Sequence, residues 1–201
     1  MDDFVKAAIA KWPNVPAVFG WLSLSRRGEW RIKGEPIGND TIRAFIGRNY
    51  ANDGCGNWFF QNGPQRVYVS LDLAPYIYRL DEFGRLVAHN DAQPRELRQV
   101  FADEDGRLYF ETELGPGALD DRDTLAFSAR IVDQSGVRLG DDLLEAWSAG
   151  TAEGYLKTAG LHIRSEEICR IEQIDTERIG HVLGFLREPQ SPRKPAGEEN
   201  A

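Results

Sequence analysis

The sequence is poor in most of the features that announce a function. It holds two cysteines, Cys55 and Cys169, among 201 residues, far apart and without a Cys-x-x-Cys spacing. That excludes a disulfide scaffold and a cysteine-rich zinc motif, and it fits two unpaired thiols in a reducing compartment. No apolar run approaches the roughly 20 residues that span a bilayer. The opening Met-Asp-Asp-Phe has neither the basic start nor the apolar core of a secretory signal. A soluble, cytoplasmic protein without membrane contacts is the expectation. No cationic run is longer than Arg26-Arg27, and the formal net charge is −8. Nucleic acid and anionic membranes, which select a basic footprint, are therefore poor partners.

The usual signatures of chemistry are also missing. His89, His162 and His181 have no second histidine, cysteine or carboxylate at a metal-ligand spacing. There is no Gly-x-Ser-x-Gly elbow and no glycine loop set between a strand and a helix to cradle phosphate. Cys55 lies in a glycine turn with every histidine distant in sequence. Asp103-Glu104-Asp105-Gly106 begins like a calcium loop but lacks its later ligands, so a solvated turn is expected. Asp120, Asp121 and Asp123 lie in a loop where carboxylates could do acid/base work or bind a cation; an exposed acidic loop is expected, and His89 or His162 meeting it would make the enzyme reading. No cofactor or metal is implied, and an enzyme is not the favoured reading.

What is present is an ordinary globular balance, 41% hydrophobic and 28% charged residues. The densest apolar stretch, Gly56 to Leu80, is aromatic and β-branched and breaks once, at Asn62-Gly63-Pro64. This is the pattern of two strands around a tight turn. Before it, residues 2–12 read as a helix with Val5, Ile9 and Trp12 on one face, ended by Pro13. Residues 18–34 alternate as two strands about Arg26-Arg27-Gly28. Residues 40–50 form the strongest helical pattern, capped by Asn39 or Asp40 and ended by Asn52-Asp53-Gly54.

The same grammar then returns. Leu80 to Leu86 reads as strand, turn and strand, residues 90–101 as a helix, Leu108-Tyr109-Phe110 as a strand and Thr124 to Val132 as its partner. Gly56–Phe60 answers Gly106–Phe110, Gly63-Pro64 answers Gly115-Pro116, and Asp81 with Gly84 answers Asp133 with Gly136. A diverged internal repeat of strand, helix and hairpin follows. Beyond Gly140 the pattern thins. A short helix is expected over 141–148, irregular chain over 149–160, and a closing hairpin of 168–174 with 179–186, since Gly180 and Gly184 disfavour a helix. The polar, proline-rich residues from 188 onward read as a disordered tail. The expected fold is α+β, mainly antiparallel sheet, with an N-terminal helix and first module over 1–87, a second module and C-terminal segment over 88–187, and the tail over 188–201.

One polar group stands within apolar surroundings. Gln61, Asn62, Gln65 and Arg66 lie at the break in the aromatic stretch, and Arg48 and Asn49 end the helix before it. If that helix packs on the hairpin, Arg48, Asn49, Phe60, Asn62, Gln65, Arg66 and Tyr68 converge as a ligand site. Amides and guanidinium at an aromatic rim suit a carboxylate or another small polar ligand. The alternative is that Asn62-Gly63 only makes the turn while Gln65 and Arg66 face water.

The run from Lys11 to Ile37, then Ile42 to Asp53, then Asn57 to Leu80 resembles a proteobacterial family of conserved proteins of unknown function. More distantly, Gly34-Glu35-Pro36-Ile37, the following helix, the Asp-x-x-Gly turn and Ala74-Pro75-Tyr76 are similar to a second uncharacterised bacterial family. That family has repeated α+β motifs and a suggested role in ligand sensing or signalling. The resemblance implies repeated modules and a ligand cleft, and it transfers no catalytic residue. A non-enzymatic ligand-binding or regulatory protein is thus expected. An assembled Asp/His enzyme and a structural homodimer or complex subunit are the alternatives, and the partner is a small molecule or another protein.

Overall fold

The structure is a computed structural model that describes residues 1–190. The expected tail lies outside the described residues from 191 on. Glu188 and Gln190 before it are bonded to the body, to Ser70 Oγ at 2.9 Å and to Asn57 Oδ1 at 2.8 Å.

The chain begins with α1 (Asp3–Lys11), then β1 (Val18–Leu24), β2 (Trp30–Ile32) and β3 (Glu35–Pro36). Next comes α2 (Asp40–Arg48), which starts where Asn39 Oδ1 accepts the Ile42 N–H at 3.1 Å. Asp40 in its first turn and Arg48 in its last complement the helix dipole. β4 (Tyr50–Asn52), β5 (Trp58–Asn62) and β6 (Gln65–Leu71) complete a first unit. Then follow β7 (Tyr76–Leu80), β8 (Leu86–Ala88), β9 (Leu97–Ala102), β10 (Leu108–Thr112) and β11 (Pro116–Leu119). The last part holds a 3-10 turn at Asp121–Asp123, α3 (Thr124–Ser128), β12 (Ile131–Val132), α4 (Asp141–Ser148), β13 (Gly154–Lys157), β14 (Ile168–Gln173) and α5 (Thr176–Val182).

Among the described residues the strands make a six-stranded sheet, β3-β2-β1-β6-β5-β4, and an eight-stranded sheet, β12-β13-β14-β9-β10-β11-β7-β8. Pairing is mainly antiparallel, so the fold is α+β with the N-terminal helix ahead of it. The exceptions are parallel contacts of β1 with β6, β11 with β7 and β14 with β9. One path recurs. The order β2-β1-β6-β5-β4 pairs antiparallel, parallel, antiparallel, antiparallel. The order β8-β7-β11-β10-β9 pairs in the same sequence of directions.

A single turn design sets these hairpins. The segments Ser25–Glu29, Asp53–Asn57, Asp81–Arg85, Asp103–Arg107 and Asp133–Val137 each place a side-chain oxygen first and glycine fourth. In each, the first side chain accepts backbone N–H groups two and four residues on, at 2.8–3.3 Å. The fourth residue is glycine at φ +75° to +91°, the left-handed region where other residues are strained. The side chains of the second and third residues take no part in this grip, and Phe83, third in its turn, reaches solvent.

Several expectations are corrected. Residues 90–101 form a loop and β9, not a helix, so the second unit has no counterpart of α2. Its apolar spacing serves a strand instead, with Leu97, Val100 and Phe101 buried beside β10 and β14. Residues 124–128 are helical, and β10 takes β9 and β11 as partners. β13 lies within the stretch read as irregular. The closing hairpin is β14 followed by α5. Gly180 is required there because an added Cβ would stand 2.9 Å from the Phe185 carbonyl, and Gly184, at φ +69°, ends the helix.

The turn at Asp103 is also not simply solvated. Its side chain is 0% exposed and is fully engaged. Besides two backbone N–H groups it accepts from Arg107 Nη1 at 3.3 Å, Tyr109 Oη at 3.1 Å and Thr176 Oγ1 at 3.3 Å. It thereby fastens α5 to the second sheet. Asp103→Ala should destabilise the protein by about 3 kcal/mol, because it strips a buried network of its acceptor. Asp133→Ala, in the same turn design at the surface, should cost distinctly less. Urea unfolding of the two variants checks this, and equal losses would show that the shared turn, not the buried network, carries the effect.

Candidate functional site

The two units meet through a cluster of rings. Trp30, Tyr50 and Trp58 come from the first sheet, Tyr76 from β7, and His89 from the loop after β8. Ring centroids lie 5.0 Å apart for Tyr50 and Trp58, 5.4 Å for Trp58 and Tyr76, and 5.1 Å for Trp30 and His89. Two glycines permit this approach. A Cβ on Gly28 would stand 2.4 Å from His89 Cβ, and one on Gly47 would stand 2.8 Å from Asn90 Cβ. Asn90 Nδ2 donates to the Gly47 carbonyl at 3.1 Å, so α2 is bonded directly to the second unit.

Beside this contact lies a cleft of about 750 Å³. The turn between β1 and β2 gives one wall, α2 a second, and Arg79 with His89-Asn90-Asp91 the third. Four arginines line it, Arg27, Arg43, Arg48 and Arg79, together with three acids, Glu29, Asp40 and Asp91. Cations outnumber acids in residues 1–71, although the whole chain has 24 Lys and Arg against 32 Asp and Glu. Each of the four arginines has an acidic neighbour. Arg27 meets Asp121 at 3.2 Å, Arg48 meets Asp2 at 3.4 Å, Arg79 meets Asp91 at 2.9 Å, and Arg43 meets Asp40 one turn away. Asp40 and Asp91 are 86% and 84% exposed, so these pairs are weak and open to exchange.

His89 lines the cleft, with its ring packed against Trp30, Tyr50 and Tyr76. The Ile77 N–H donates to His89 Nδ1 at 3.3 Å, which places the proton of the neutral ring on Nε2. Nε2 is buried and has no partner among the described residues; the same is true of Tyr50 Oη. Such groups call for an acceptor. Burial pulls the His89 pKa down to about 3 and pushes that of Tyr76 up to about 12. Both are neutral at physiological pH.

The residues singled out from sequence do not form one site. Phe60, Asn62 and Gln65 line a separate groove of about 340 Å³ between α2 and the β5–β6 hairpin, with Ile42, Ile46 and Val67. Its wall is apolar, and Trp21 and Ile32 at it are 53% and 46% exposed. Gln65 Nε2 is spent on the Pro16 carbonyl at 3.1 Å. Arg66 and Tyr68 alternate to the opposite sheet face, where Arg66 covers Phe59 at 4.6 Å and Tyr68 stacks on Phe19 at 4.5 Å. Gln61 is buried and bonds the Gly63 carbonyl at 2.9 Å. Only Arg48 reaches the cleft, while Asn49, beside it, is buried against Asp2. Arg43 and Arg79 carried no local signal, because their meeting depends on how two distant segments pack.

The assembled Asp/His arrangement does not form among the described residues. Asp120 is held by Arg122, Asp121 by Arg27, and Asp123 accepts the Leu80 N–H at 2.7 Å. Cys55 and His181 line one depression near α5, with no hydrogen bond between them.

The His89 shift has a definite pH consequence. The folded pKa lies below the unfolded value of 6.5, so the stabilising effect of a neutral ring is complete above that pH. It is lost as pH falls from there toward 3, by about 1.4 kcal/mol per unit. In urea melts between pH 7.5 and 4.5, the stability of wild type relative to His89→Gln should fall on this slope. A difference independent of pH would contradict the burial of the ring.

No curated protein matches the chain. Among solved structures, the crystal structure of a DUF1285 family protein from Silicibacter pomeroyi DSS-3 aligns at 13% identity. The alignment covers 86% of this chain and 79% of that one, with a TM-score of 0.29, too low to carry an argument. Among the described residues no helix is long and apolar enough to cross a membrane. The sequence profile of the family described as "Protein of unknown function (DUF2946)" matches residues 1–190, and the chain belongs to that family.

Proposed function

We propose that the protein is a non-enzymatic ligand-binding module of the cytoplasm, built from two copies of one hairpin unit, and that its ligand is a small organic anion held in the cleft between them. The recurring strand path and turn support the duplication. The two free thiols suit a reducing compartment. The observation that carries the ligand reading is the meeting of four arginines on one cleft, against three acids, of which Asp40 and Asp91 are largely exposed, in a chain of net charge −8. Guanidinium groups take carboxylate or phosphate in two-point contacts.

The apolar groove supports a second reading, a protein partner docked beside exposed Trp21, Ile32 and Ile42. The cleft is preferred because its groups are charged and directional, which suits a small ligand.

The test is a thermal-shift and calorimetric screen with di- and tricarboxylates and phosphomonoesters, using their neutral amides as controls. Anions should raise the melting temperature, since a ligand of the native state stabilises it. Arg43→Ala/Arg79→Ala should weaken binding on the order of tenfold or more, as expected for lost charge-assisted bonds. A flat response across the panel, or binding unchanged in the double variant, would overturn the reading.

A further inference from the structure

Asp2 sits where a ligand would. Its carboxylate accepts from Arg48 Nε at 3.4 Å and Arg48 Nη2 at 3.5 Å, and from Asn49 Nδ2 at 3.2 Å. Its backbone N–H donates to Asn49 Oδ1 at 2.8 Å. The Asn49 amide is 1% exposed and is steadied by a further bond, Nδ2 to the Phe45 carbonyl at 3.0 Å. Arg48 and Asn49 thus read two features together, a carboxylate and an N–H two carbons away. Hydrogen bonding from Asn49 holds the Asp2 carboxyl below the usual carboxylate range, so it is ionised at neutral pH.

We infer that Arg48 and Asn49 form a subsite for an aspartate-like ligand, one bearing a carboxylate beside an N–H donor. Asp2 occupies that subsite as an internal competitor, and ligand binding there releases α1. The inference rests on the proposed anion-binding role of the cleft, which Arg48 also lines.

The hold on α1 is slight enough for such exchange. Within α1 only Val5 is buried. Phe4 stacks on Phe45 at 5.7 Å yet is 62% exposed, and Trp12 is 50% exposed. Nine residues are too few for a helix to persist in water without tertiary contacts. Pro13 and Pro16 follow it and separate its motion from β1. Asp2 is therefore a principal anchor of the segment, and it shares its guanidinium with the cleft. Two carboxylates cannot both take this grip, so ligand binding and docking of α1 oppose each other, and the coupling is reciprocal.

The experiment uses the full chain with N-acetyl-L-aspartate as probe, N-acetyl-L-asparagine as the control without the side-chain carboxylate, and succinate as the control without the N–H. Calorimetry measures binding, and hydrogen exchange by mass spectrometry follows residues 3–11. N-acetyl-L-aspartate should bind more tightly than either control and speed exchange in α1 while the sheets stay protected. Asp2→Asn should exchange rapidly in α1 without probe and bind the probe roughly fivefold tighter. Its circular dichroism should confirm that the sheets remain folded. If carboxylates bind with α1 exchange and Asp2→Asn affinity both unchanged, the inference falls while the cleft reading stands. If neither wild type nor Asp2→Asn binds any carboxylate while phosphomonoesters bind, the inference alone falls; if no carboxylate and no phosphomonoester binds, the cleft reading falls and takes the inference with it.

Discussion

The structure depends on one local interaction, a side-chain oxygen that gathers two backbone N–H groups across a turn ending in left-handed glycine. A carboxylate there does three things at once. It satisfies donors that the hairpin would leave unpaired, it fixes where one strand stops and the next starts, and it fixes which side chains face each side. Because the grip is short-range, it recurs in five separate turns, at Ser25, Asp53, Asp81, Asp103 and Asp133. The differences among the copies are as informative as the likeness. Asp103 is buried and draws in Tyr109 and Thr176. Asp53 accepts Asn57 Nδ2 at 2.9 Å and Tyr68 Oη at 3.4 Å. Gly28 admits His89. A device that builds a hairpin in every copy has been adapted in some to hold neighbouring segments.

That reuse explains how much could be seen in the sequence. The first unit was legible because its signals are local: the Asn39 cap, the alternating strands and the Asn62-Gly63 turn each lie within a few residues. Gly56–Phe60 and Gly106–Phe110 resemble each other in sequence for the same reason, and β5 and β10 each stand fourth in their strand path. Residues 90–101 misled because Leu97, Val100 and Phe101 satisfy a helical period. Their strand state follows from the partners on either side, β10 just across the Asp103 turn and β14 some distance along the chain. The end of the chain misled in the opposite sense. Gly180 and Gly184 argue against a helix as isolated residues, yet one makes room for the Phe185 carbonyl and the other forms the helix stop. The apolar groove beside α2 was foreseeable from helix and hairpin. The cleft was not, since Arg79 and His89 reach Arg43 only through the packing of two units.

The electrostatics of the cleft follow from exposure more than from charge count. Its arginines are each beside a carboxylate, which looks like neutralisation, but most of those carboxylates stand in water. Such pairs contribute little to stability and exchange readily. The guanidinium groups are thereby kept soluble and oriented without being locked. Arg48 differs, because the acid it meets belongs to α1 and Asn49 grips that same residue twice. The ring cluster beneath has the opposite character. Burial keeps His89 and Tyr76 neutral, and Gly28 and Gly47 admit the second unit so closely that the boundary holds its shape.

The central claim is that this boundary is where the protein receives an organic anion. It is tested most directly by following every arginine Nε–Hε signal in heteronuclear NMR while succinate is titrated into the full chain. The account requires saturable shifts at Arg27, Arg43, Arg48 and Arg79, with exposed arginines elsewhere, such as Arg98 and Arg170, unmoved. Shifts spread evenly over all exposed arginines, or confined to residues outside the cleft, would contradict it.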